Sequence, residues 1–136
     1  MYQKARTIMG NTPTVLDVAR EALRLAEENP DHVYLSPISI KQVMTCVYVH
    51  AGVGSCLFGQ ALIAAGVPAS RVSTCEGHRI SAVIYILMDS GDLTDGGEGQ
   101  SRTQARINSM VKAQVKQDQR FTWGNCIPHL RRAASA

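Results

Sequence analysis

From Thr14 to Pro30 the chain spells out one complete helix. Val15, Val18, Ala19, Ala22, Leu23 and Ala26 recur at the three- and four-residue spacing that places them on a single face. Thr14 followed by Asp17 is a capping-box start, with Asp in place of the usual Glu, and Asn29-Pro30 stops the run. An apolar stripe of this kind has to be buried against other elements. The chain of 136 residues is the length of one domain and can bury such a core without a staple or a metal. Since aromatics make up only 5%, that core is expected to be aliphatic.

The partners of the first helix are less plainly marked. Residues 33–35 and 43–49 are short β-branched or aromatic runs and suggest a small strand pair. Ala51-Gly52-Val53-Gly54 reads as a turn, and Ser55 precedes a helix over about 56–65 with Leu57, Phe58, Ala61, Leu62 and Ala65 inward. Gly66-Val67-Pro68 is its stop. Residues 80–88 suit a helix through Ile80, Val83, Ile84 and Leu87, although a buried strand is the alternative. Residues 90–99, with Asp92, Asp95 and several glycines, are expected as a flexible acidic loop. The last long helix is expected over about Gln100 to Asp118, with Phe121 and Trp123 as anchors behind it and residues 131–136 as a disordered tail. The result is one mainly helical α+β domain with about four helices and a small strand pair.

Charge narrows the function. The formal net charge of +3 is unevenly spread: Asp17, Glu21, Glu27, Glu28 and Asp31 make the start acidic, while Arg102, Arg106, Lys112, Lys116, Arg120, Arg131 and Arg132 make the end basic. At 100° per residue from Arg102, the residues Ile107, Met110, Val111, Gln114 and Val115 occupy an arc from roughly 80° to 220°. Arg102, Arg106, Lys112 and Lys116 lie on the other side and form the candidate partner-binding face. No apolar run is long enough to span a bilayer, and the residues after Met1 do not form a signal peptide. A cytoplasmic setting with four reduced thiols and no cofactor is the expectation.

Three constellations could carry chemistry. Cys56 at the first turn of a helix would have its thiolate favoured by the helix dipole, with His78 or His50 as base. The phrase resembles the cysteine-peptidase pattern in which a Cys-led helix ends in Ala-Gly-Val and a later Gly-His opens a strand. Phe58 stands where that pattern has glycine, however, and the interval from Cys56 to His78 is short for an intervening sheet. Cys46, His50, Cys56, Cys75 and His78 could supply zinc ligands, but they lack a paired Cys-x2-Cys knuckle. The segment from Leu62 through Gly66 to Val72 echoes the middle of a helix-turn-helix, which makes DNA the alternative partner. Against the first two, Cys56 sits in an apolar helical phrase and reads as a buried packing residue.

The segments Glu28-Asn29-Pro30-Asp31, Cys46-x-Tyr48-Val49-His50, Ser55-Cys56-Leu57-x-Gly59-Gln60-Ala61-Leu62, Ala65-Gly66-Val67, Ala113-Gln114-x-x-Gln117-Asp118 and Trp123-Gly124, in that order, resemble a set of uncharacterised small proteins of actinobacterial phages and their hosts. Gln119-Arg120-Phe121 departs from the glycine expected soon after Gln-Asp. The resemblance implies a non-enzymatic accessory protein that binds a host protein inside a bacterial cell, with a homodimer as a further option. It carries no catalytic residues over to this chain.

Overall fold

The computed structural model describes residues 11–37 and 47–135. Six α-helices are present among them, against the four expected, together with a two-stranded antiparallel sheet. Helix α1 (Val15–Glu28) is the expected one, and its capping box is formed in full. Thr14 Oγ1 accepts from Asp17 N at 3.0 Å, and Asp17 Oδ2 accepts from Thr14 N at 2.9 Å.

The sheet lies elsewhere than expected. Strands β1 (Val49–His50) and β2 (Val53–Gly54) pair across Ala51-Gly52. Both turn residues have positive φ, 53° and 78°, the backbone form that matches the twist of a tight hairpin. The segment read as a plain turn therefore closes the sheet. Val33 makes only an isolated bridge to Thr122, and residues 43–46 of the expected second strand lie outside the described residues.

Helix α2 (Leu57–Ala65) ends at Gly66 in the left-handed conformation with φ 119°, as its sequence implies. Helix α3 (Ala69–Ser73) is a short addition, and residues Ile80–Asp89 form helix α4 rather than a strand. Helix α5 (Gln100–Asp118) has its expected span, followed by a 3-10 turn (Trp123–Cys126) and helix α6 (Ile127–Ala134). Helix α1 packs between α2 and α6, and α5 lies across α4 and α6.

Helix α6 changes two expectations. It occupies much of the segment read as a disordered tail, with Leu130 and Ala133 buried. By packing on α5 it also moves the buried face of that helix by roughly 70° around its axis. The buried set is Thr103, Arg106, Ile107, Met110, Ala113, Gln114 and Gln117, while Val115 is 41% exposed.

Residues 90–99 are fastened rather than loose. Leu93 is buried, Val15 N donates to Thr94 O and Thr94 N to Pro13 O, each at 3.0 Å, and Arg71 pairs with Asp92 at 2.9 Å. Trp123 is the expected anchor, buried with its backbone N–H donating to His32 O at 2.9 Å, whereas Phe121 is exposed. Among the described residues no helix is long and apolar enough to cross a membrane.

Candidate functional site

A buried polar junction forms where three helix ends meet. Neither Cys56 before α2 nor Arg79 before α4 caps its helix with a side chain. Two glutamines of α5 do so from a distance: Gln117 Oε1 accepts from Leu57 N, and Gln114 Oε1 accepts from Ile80 N, both at 2.8 Å. Gln114 Nε2 donates to the Tyr48 hydroxyl at 2.8 Å, which in turn donates to His78 O at 2.6 Å. Glu76 holds the strand entrance by accepting from Tyr48 N at 2.9 Å and Val49 N at 2.8 Å. Burial raises the Tyr48 phenol well above its ordinary range, so it remains a neutral donor.

Close backbone contacts complete this junction. A Cβ on Gly59 would stand 1.9 Å from Tyr48 O, and one on Gly124 would stand 2.8 Å from Pro30 O. Gly124 N donates to that same Pro30 oxygen at 2.8 Å. The sequence segments containing Pro30, Tyr48, Gly59, Gln114, Gln117 and Gly124 are therefore brought together in pairs by packing and hydrogen bonding.

Among the described residues the cysteines form neither the nucleophile nor the metal set considered from sequence. Cys56 is fully buried and disulfide-bonded, which corrects the expectation of four free thiols and removes the thiolate that a hydrolase would need. Cys46 lies outside the described residues. His50 and His78 are both exposed, and His78 serves the interior through its carbonyl rather than its ring. Cys75 and Cys126 are buried free thiols; burial raises the pKa of the first and pushes the second up to about 11. Cys126 Sγ donates to Ala113 O at 3.3 Å. No group of three or more His, Cys, Asp or Glu side chains is placed to hold a metal among the described residues. The helix-turn-helix echo resolves into α2, the Gly66 turn and the five-residue α3, a short element for reading a groove.

Of the four residues expected on a basic face, three lie at the surface of α5 and one is buried. Arg102 and Lys112 are exposed, and Lys116 Nζ sits 4.4 Å from the Phe121 ring centroid. Arg106 is a correction: it is 3% exposed, holds Glu98 in a two-pronged ion pair, and donates through Nη1 to Ala133 O at 2.7 Å and Ser135 O at 2.6 Å. Its charge is spent inside the fold because α6 covers that side of α5. Glu98 is held below the usual carboxylate range by the Arg106 guanidinium. In place of Arg106, α6 contributes Arg132 and His129, which bond to each other at 2.6 Å. Burial, and then the charges of Arg132, Lys112 and Lys116, lower the His129 pKa. Sequence reasoning missed this pair because it assigned no helix to residues 127–134 and took 131–136 as a tail. A cleft of about 410 Å³ opens between α5 and α6 beside Arg102 and Arg132. No protein-family model, curated protein or solved structure matches this chain.

Proposed function

We propose that the chain is a phage-type accessory protein that works by binding an acidic protein of a bacterial host, using the basic α5–α6 face. One observation carries this reading. Arg24, Arg71, Arg106 and Arg131 each hold a carboxylate; among the described residues Arg20, Arg79 and Arg120 hold none but stand apart on different elements, whereas Arg102, Lys112, Lys116 and Arg132 hold none and share two adjoining helices. Four cations left without ion pairs on adjoining helices create a positive field that accelerates and orients association with a negative surface. The buried glutamines Gln114 and Gln117, by contrast, are committed to helix ends. The Cys56 bond argues against the reducing cytoplasm as the setting, since disulfides persist mainly in oxidising compartments.

The test is affinity capture from a bacterial lysate by the wild-type chain and by Lys112→Glu/Lys116→Glu, with and without nuclease. Lys112 is exposed and Lys116 half-buried with its ammonium over the Phe121 ring, so circular dichroism of the variant checks that the fold is retained. The reading expects a partner captured by the wild type, unaffected by nuclease and lost with the variant. Duplex binding at physiological salt that weakens steeply as salt rises, and disappears in the variant, would replace it with the DNA-binding alternative.

A further inference from the structure

We infer that the cleft between α5 and α6 is a phosphate-monoester subsite, formed by Arg102 and Arg132 with the hydroxyl of Ser109. This deepens the basic-face reading and rests on it for the sign of the ligand. The cleft is lined by Arg102, Ala105, Arg106, Ser109, Arg132 and Ser135, and its volume of about 410 Å³ falls in the range of small-ligand sites. No carboxylate lines it. Arg106 forms its fixed side: ion-paired to Glu98, it adds no free charge, but its bonds to Ala133 O and Ser135 O hold the last turn of α6 against α5. That clamp has two consequences. It holds α6, which carries Arg132, against α5, which carries Arg102, so that both line the cleft, and it occupies carbonyls at the C-terminal end of α6 that would otherwise repel an anion.

The donors suit phosphate better than carboxylate. One guanidinium fork satisfies a carboxylate, whereas two forks from different helices and a serine hydroxyl offer donors to three or more oxygens of a tetrahedral group. Arg102 has no hydrogen-bond partner among the described residues, and Arg132 is engaged only through Nη2 to His129, at 2.6 Å, leaving its other N–H groups for a ligand. The phosphate could come from a free ester or from a phosphorylated side chain of the partner protein, since both present the same group.

The experiment is a calorimetric titration of the full chain with inorganic phosphate, with a phosphoserine peptide and with its unphosphorylated form, all at constant ionic strength in chloride. The expected result is saturable phosphate binding that weakens at least about tenfold in Arg102→Gln and in Arg132→Gln, the loss of one charge-assisted bond set. Arg20→Gln, at an exposed residue of α1 away from the cleft, should leave it unchanged. Tighter binding of the phosphopeptide than of phosphate supports the subsite with a partner side chain as the source, and equal binding supports it with a free ester. Heats indistinguishable from chloride, or binding unaffected by both arginine substitutions, overturn the subsite. In that event capture that is still lost in Lys112→Glu/Lys116→Glu leaves the basic-face reading standing, so the two failures are separable. Both arginines are exposed, and circular dichroism of each variant checks that the fold is retained.

Discussion

Gln117 on α5 caps the first turn of α2 by accepting the backbone N–H of Leu57, sixty residues earlier in the chain, at 2.8 Å. Gln114, one turn back, does the same for Ile80 of α4. The capping groups that local sequence leaves out are supplied by a third helix, so α2 and α4 both depend on α5 for their first turns. Changing Gln117 to Leu leaves a buried N–H unpaired and should cost about 1–3 kcal/mol. Gln114→Leu should cost at least as much, because it also removes a partner of the Tyr48 hydroxyl. Denaturant unfolding of the two variants measures this, and a loss below about 0.5 kcal/mol in both would show that the caps carry little of the stability.

What could be read from the sequence was local. Thr14, Asp17 and Asn29-Pro30 fix α1 within one stretch of chain, and Gly66 stops α2 through its own backbone freedom. Gln114 could be placed on the packing side of α5, yet its acceptor role could not be read because Ile80 is far away in sequence. Arg106 was misplaced for a related reason. The helical arc assumed one packing neighbour, and α6 is a second. Pro128 in the first turn of α6 was the available clue, as a proline there starts a helix as readily as it ends one.

Arg106 should behave as a structural residue. Replacing it with Met leaves Glu98 and the carbonyls of Ala133 and Ser135 without their donor, at a cost of about 2–4 kcal/mol. Once the reduced stability is allowed for, partner affinity should change less than it does for Lys112→Glu/Lys116→Glu. Thermal unfolding read alongside affinity capture checks this, and a normal melting temperature with lost capture would return Arg106 to the binding face.

Asp118 predicts a pH dependence. Burial lifts its pKa from an ordinary 3.8 to about 6, so between these values the folded protein binds the proton more tightly than the unfolded chain. Its contribution to stability is therefore greatest below the lower value and is lost as pH rises through the upper one. Glu98 has the opposite sign: its stabilisation is present above the usual carboxylate pKa and is lost as pH falls through its depressed value. Asp118→Asn keeps an oxygen for Gln117 Nε2 to donate to but cannot ionise. The variant should be more stable than wild type near pH 7, with the gap closing toward about pH 4. A gap that stays constant across that range in denaturant titrations would mean that Asp118 ionises normally in the fold.

The Cys56 bond separates two settings for this protein. Cys75 and Cys126 are buried free thiols, so in the folded chain neither should alkylate quickly at neutral pH. In denaturant without reductant both should be labelled while Cys56 is not, and reduction should expose Cys56. Reduced protein should lose about 2–4 kcal/mol of stability, the ordinary worth of a native disulfide. Peptide mapping by mass spectrometry after each step reads the pattern residue by residue. Labelling of Cys56 before any reductant is added, in protein prepared with its native thiols trapped at lysis, would show that the thiol is free in the cell. The reducing cytoplasm would then be the working compartment, and Cys56 would contribute only as a small packed side chain at the start of α2.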